Sequence, residues 1–226
     1  FEVIYDIRRR ELVGVDRKLK PEESAPYLQS KFLQANRMVP INGPPVTLSS
    51  SWTLPSETWG QARAIYDGVL DHMQYEKRPG YGRGDVRWAC RSGYGKCTDF
   101  HSLFISIARL HDVPARFEIG FPGPRDRTTG QIKGYHCWAS FFEPRAGWVP
   151  VDISEGKKHP EFREYYFGNL DKDRVGFTVG RDLELVPRQH GGPLNYFIYP
   201  HVEVDGKSCD SALLQTRFLI ADVSKG

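Results

Sequence analysis

The chain has 226 residues, of which 39% are hydrophobic and 26% charged; its formal net charge is +3 and its mean hydropathy −0.51. No apolar run approaches the roughly 18 residues that span a bilayer, so no membrane span is expected, and an aromatic share of 13% excludes a disordered chain. The densest basic run, Arg8-Arg9-Arg10, is too short for a nucleic-acid tail, and the four cysteines (Cys90, Cys97, Cys137, Cys209) contain no CxxC pair and are too few for a disulfide scaffold.

Residues 1–15 predict a strand: Val3, Tyr5 and Ile7 alternate with Glu2, Ile4 and Asp6, and Leu12, Val13 and Val15 resume after the arginines. Residues 19–55, rich in Pro, Ser and Asn, predict an ordered arm over the core, with a short helix near 27–33 and a turn at Ile41-Asn42-Gly43-Pro44-Pro45. A helix capped by Ser56 then carries Ala62, Ile65, Tyr66, Val69 and Leu70 at helical spacing to about Met73. A loop through Gly80, Gly82 and Gly84 leads to a short helix over 85–90. The clearest helix spans 98–111, with Phe100, Leu103, Phe104, Ile107, Ala108 and Leu110 as its apolar stripe and Pro114 beyond its end. Strands follow at 115–121, 135–142, 148–153, 177–179 and 196–203. Helices first and strands second predict an α+β fold rather than βαβ alternation. The expected organisation is one domain over 1–226: a strand and arm at 1–55, a core at 56–190 and strands at 191–226. A first residue of Phe1 rather than Met reads as a fragment or processed product, which leaves a periplasmic or secreted location open beside a cytoplasmic one.

Cys97 opens the clearest helix, after Gly93-Tyr94-Gly95-Lys96. Unpaired backbone N–H groups and the positive end of the helix dipole favour a thiolate there, so Cys97 is a candidate nucleophile. A nucleophile needs a base, and the base an orienting group. His136 lies near the start of one predicted strand and Asp152 near the end of the next, 16 residues on, a spacing that lets the two meet across a pair of antiparallel strands. Asp152 stands between Val151 and Ile153 and, once buried, needs a partner. Cys137 is expected to point to the opposite sheet face from His136.

Gly95-Lys96-Cys97-Thr98-Asp99-Phe100, with Leu103-Phe104 and Val113-Pro114-Ala115-Arg116, resembles the cysteine motif of the transglutaminase-like superfamily. His136-Cys137-Trp138 resembles its histidine motif, and Gly147-Trp148-Val149-Pro150-Val151-Asp152 its aspartate motif. The resemblance is clear over about 57–156 and extends more weakly through Tyr166-Phe167-Gly168 and Gly180-Arg181-Asp182. It implies a papain-like fold, a nucleophile helix on an antiparallel sheet, with Cys97 as nucleophile, His136 as base and acid, and Asp152 orienting the imidazole. Two positions depart from the pattern: Asp112 replaces a frequent Gly, and Ser140 replaces a frequent acidic residue two positions after Trp138.

Other chemistries fit less well. Cys97, His101, His136 and Cys137 do not complete a tidy zinc set. Gly95-Lys96-Cys97 lacks the first glycine and the hydroxyl residue of a P-loop, and no GxSxG is present. Asp171-Lys172-Asp173 has too few carboxylates for a calcium loop. No cofactor or metal is therefore expected. Tyr75 and Trp88, upstream of the cysteine, are expected to pack in the core, with a part in an oxyanion hole beside the Cys97 amide as the alternative role. The expected activity is attack on a peptide or glutaminyl carboxamide through a thioester, with hydrolysis or deamidation favoured over amine transfer; a true transglutaminase and a non-catalytic binding module of the same fold are the alternatives. The expected partner is a protein or peptide substrate, and not nucleic acid.

Overall fold

The computed structural model describes residues 2–14, 30–123, 129–210 and 213–221. In chain order its helices are α1 (Pro44–Ser49), α2 (Thr58–His72), α3 (Val86–Ser92), α4 (Cys97–Leu110) and α5 (Ile153–Lys158). Its strands are β1 (Gln74–Tyr75), β2 (Tyr94–Gly95), β3 (Ala115–Pro122), β4 (Thr129–Ile132), β5 (His136–Glu143), β6 (Gly147–Val151), β7 (Arg174–Val179), β8 (Glu203–Val204), β9 (Lys207–Ser208) and β10 (Phe218–Ala221). The architecture is α+β: β6, β5, β3 and β7 form one antiparallel sheet in that order, and α4 lies across it.

Apolar residues at helical spacing put Phe100, Leu103, Phe104 and Ile107 of α4 into one core with Phe117 and Ile119 of β3 and with Ala139 and Phe141 of β5. Helix α2 closes the core from the other side with Ile65, Tyr66, Val69 and Leu70. Its cap is Glu57 rather than Ser56: the Glu57 carboxylate accepts the N–H groups of Trp59 and Gly60. Helix α4 is buried on every side from Cys97 to Arg109, so its polar residues need partners too. The arm supplies several of them. Arg109 donates to Gln34 O, Asn36 Oδ1 and Ala115 O, and Ser106 donates to Pro40 O. On the next face Arg181, stacked on Phe117 and Tyr196, donates to Ser102 Oγ and to the carbonyls of Arg83 and Gly84.

Several expected elements differ. The strand expected at 1–15 is, over its described residues, a largely exposed run whose one ladder contact is the bridge Leu12–Leu170; three consecutive arginines leave it no continuous apolar face to bury. Of the helix expected at 27–33, residues 27–29 lie outside the described residues and Ser30 and Lys31 are helical. The prolines read as a turn at 44–45 instead start α1, where a missing N–H costs nothing. The strand expected at 148–153 ends at Val151, because Asp152 caps α5. The strand expected at 196–203 is irregular up to Pro200, where Tyr196 packs on Arg181 and Tyr135, and only Glu203–Val204 pairs. No described helix is long and apolar enough to cross a membrane.

β7 joins the sheet at a register shift between Ile119 and Gly120, where a Cβ on Gly120 would lie 1.8 Å from the Val175 carbonyl oxygen. Gly120→Ala should therefore displace β7 and lower stability by about 1–3 kcal/mol, read as a drop in thermal midpoint. Gly134→Ala, with no atom within 4 Å of the added Cβ, should leave it unchanged. Equal midpoints for the two variants would show that this contact is not limiting.

Candidate active site

Cys97 is the first residue of α4 and is 3% exposed. The turn before it is set by Asp99, whose buried carboxylate accepts the N–H groups of Lys96 (3.0 Å), Gly82 (2.7 Å) and Gly84 (2.9 Å). Gly95 has no room for a side chain, since a Cβ there would come within 2.6 Å of Asp99. One carboxylate thus closes the helix terminus and pulls the Gly82–Gly84 loop alongside it.

His136 is the first residue of β5, and the register Ala139–Val151 leaves Asp152 one residue past the β5–β6 ladder. His136 Nε2 lies 2.6 Å from Asp152 Oδ2. With Nε2 committed to the carboxylate, Nδ1 is the nitrogen left for Cys97, whose charge the imidazole feels. The structure therefore brings together the three residues singled out in the sequence.

Five further residues surround them. Arg174, 3% exposed on β7, places Nη2 3.5 Å from Asp152 Oδ2. Asp152 Oδ1 accepts from Ser154 Oγ and from the Glu155 N–H, both at 3.2 Å. His101 Nε2 lies 3.6 Å from Asp152 Oδ1, but the two do not form an ion pair: that nitrogen accepts the Ile153 N–H at 3.0 Å, so it carries no proton. Burial pushes the His101 pKa down in agreement, and the ring is neutral. Cys137 faces α4 with Ala139 and Phe141 in the core, whereas His136 shares the other face with Trp138. Strand alternation holds, yet the Cys137 sulfur lies 3.8 Å from both Thr98 Oγ1 and His101 Nδ1, close enough to shift the Cys97 thiol. Neither Arg174 nor the Cys137 contact was visible in the sequence, where the strand expected at 177–179 leaves Arg174 outside it.

These contacts fix the charges. The Cys97 pKa falls well below that of a free thiol because of the neighbouring Cys137 side chain and because His136 lies beside it, against the opposing effect of burial. Burial and the neighbouring Cys97 charge push Cys137 up, so it remains a thiol. Burial alone would lower His136, but the charge and hydrogen bond of Asp152, and then Cys97, raise it to about 9. Asp152 is held well below the usual carboxylate range, despite its burial, by His136 and Arg174. At neutral pH the site holds a thiolate–imidazolium pair over a buried carboxylate.

Tyr75 pairs with Gly95 across β1 and β2; burial, and then the charge of Cys97, push its phenol pKa up, so it stays a neutral O–H donor. The Trp88 indole packs edge-on against Tyr94 and beneath Gly80. His136, Asp152 and Glu155 offer ligand atoms within 4.8 Å of one another, but Arg174 and Lys158 already bring cations to the two carboxylates, which opposes a divalent ion. Cys97, His101 and Cys137 do not join that group among the described residues. The carboxylate missing at Ser140 is supplied from β3: Glu118 accepts from Ser140 Oγ, Trp138 Nε1 and Arg116 Nε. Asp112 adopts the left-handed φ of 59° that its position requires.

Residues 49–153 match the family described as the transglutaminase-like superfamily. A relative from Haemophilus influenzae, described as an uncharacterised protein, is 32% identical over 184 residues, covering 67% of this chain and 50% of its own length. Among solved structures, a candidate cysteine protease from Cytophaga hutchinsonii superposes with a TM-score of 0.51 at 15% identity, covering 74% of this chain and 53% of that one. The periplasmic domain of TgpA from Pseudomonas aeruginosa gives 0.46 at 18% identity over 63% of this chain and 51% of that one. The fold is therefore the papain-like one of the transglutaminase core, and the chain spans about half the length of the relatives it matches.

The charge assignments make a prediction about pH. His136, raised to about 9, would alone contribute stability that is complete below its ordinary 6.5 and lost as pH rises through 9. Cys97, lowered, contributes in the opposite sense. Between these limits the folded pair holds its proton on His136 and the unfolded chain holds one on Cys97, so the pair adds no slope. Wild-type stability in denaturant should change little from pH 6.5 to 8.5, whereas Cys97→Ala should lose stability over that range. A flat profile for Cys97→Ala would contradict the raised imidazole.

Proposed function

We propose that this protein is a cysteine-nucleophile enzyme of the transglutaminase-like superfamily that cleaves amide bonds through a thioester. The observation that carries the reading is the buried chain Cys97–His136–Asp152, with its 2.6 Å bond from His136 Nε2 to the carboxylate. The Cys97 thiolate adds to the carbonyl carbon of a peptide or glutaminyl amide. The Cys97 N–H and the Tyr75 hydroxyl stabilise the oxyanion, a contribution of roughly 3–4 kcal/mol per donor. The proton on His136 Nδ1 passes to the leaving nitrogen, the C–N bond breaks and the thioester remains. Water then gives its proton back to His136, adds to the thioester and releases the acid and the thiolate. Asp152 fixes the ring orientation and offsets the imidazolium charge throughout.

Hydrolysis or deamidation is favoured over amine transfer. The residue before the nucleophile is Lys96, whose ammonium opposes the approach of a second, cationic amine.

Mass spectrometry of a peptide library, with and without a dilute primary amine, tests the reading. Hydrolysed or deamidated products should dominate in both cases and should vanish in Cys97→Ala. A product mixture dominated by amine adducts would overturn the choice of acceptor; turnover surviving Cys97→Ala would overturn the nucleophile. Asp152→Asn keeps a competent helix cap and should preserve the fold while slowing turnover about 10³- to 10⁴-fold. At pH 6 iodoacetamide should modify Cys97 ahead of Cys90, whose thiol burial pushes up to about 11, and ahead of Cys137; peptide mapping reads the order.

A further inference from the structure

The lysine next to the nucleophile is caged. Lys96 Nζ lies 4.6 Å from the ring centroid of Tyr135 and 5.5 Å from that of Tyr81. Its stem presses on Gly82, where a Cβ would come within 2.6 Å of Lys96 Cε. The cage joins two segments next to Cys97. Tyr135 precedes His136, and its hydroxyl is shared with Thr98 and Tyr196; Tyr81 and Gly82 belong to the loop that Asp99 and Arg181 hold.

Ring faces attract an ammonium but do not cancel its charge. Other cations near the site are matched by carboxylates: Arg78 by Glu76, Lys158 by Glu155, and Arg174 by Asp152 and Asp171. Lys96 has no carboxylate partner among the described residues. It is thus a fixed positive charge, one residue from the attacking sulfur, whose side-chain freedom is already restricted before substrate arrives.

We propose that Lys96 selects the substrate: the enzyme takes amides that carry a carboxylate beside the carbonyl attacked by Cys97. The carboxylate pairs with the caged ammonium and sets the amide against the thiolate. This rests on the nucleophile reading given above. A cage that merely props the Gly82 loop would leave the chemistry at Cys97 indifferent to reagent charge.

Two alkylating reagents separate these cases, because each forms the same C–S bond with loss of iodide and they differ in charge. The ratio of Cys97 alkylation rates by iodoacetate and iodoacetamide, measured at pH 7 on the intact chain, should fall about three- to fivefold in Lys96→Met, as expected for one partly exposed charge pair. Lys96→Arg should retain the ratio. Taking a ratio removes any change in thiolate content. An unchanged ratio in Lys96→Met overturns the proposal; a wild-type Cys97 inert to both reagents overturns the nucleophile reading beneath it. Peptide pairs that differ only in Glu against Gln, or in a free against an amidated C-terminus, then show whether the carboxylate is a side chain or a chain end. Equal turnover within both pairs also overturns the proposal.

Discussion

A carboxylate with no access to water must find its stabilisation inside the protein, and in this chain that requirement falls on Asp152. Its oxygens are met by His136 from β5, by Arg174 from β7 and by the Ser154 hydroxyl and Glu155 N–H from α5. Its own N–H goes to the Tyr166 carbonyl. Strands far apart in sequence and a short helix are therefore tied to one charge. The imidazolium that faces Cys97 is an outcome of that tie, since burial by itself would leave the ring neutral, as it does at His101. Two histidines in one buried cluster take opposite charge states because one ring nitrogen faces a carboxylate and the other a backbone N–H.

Helix α4 meets a related demand. Enclosing it completely buries Ser102, Ser106 and Arg109 as well as the apolar stripe. Each polar group is satisfied by a segment that has little secondary structure of its own, the arm at 34–40 or the stretch around Arg181. Those segments hold the helix at a fixed depth, and with it the sulfur at its first residue. The glycines of the 80–84 loop let its backbone approach Asp99 closely enough to be bound on two N–H groups.

Much of this was legible in the sequence. The stripe of α4, the order of helices before strands and the trio Cys97, His136 and Asp152 follow from periodicity, spacing and resemblance. What stayed hidden depends on partners remote in the chain. Arg174 and Glu118 are ordinary charged strand residues until the sheet order places one on Asp152 and the other beneath Trp138. The strand expected at the N-terminus fails for the converse reason: its alternation is real, but one isolated bridge is its only ladder contact among the described residues. The strand expected at 148–153 takes in Asp152, which instead caps α5; a cap is decided by the backbone turn, which β-propensity does not report.

Asp152 also constrains how this chain could decay. A lineage released from selection for activity loses residues at random, and most losses in a catalytic set leave the scaffold standing. Here the orienting carboxylate is also the cap of α5 and one of the anchors of Arg174, so a small apolar replacement takes a carboxylate from a buried guanidinium and unwinds a helix end together. Descendants that fall silent yet remain folded would carry the change at Cys97, where a smaller side chain leaves no buried charge without its partner. The aspartate would persist in them as a relic of architecture, and its presence in a silent homologue would say nothing about chemistry.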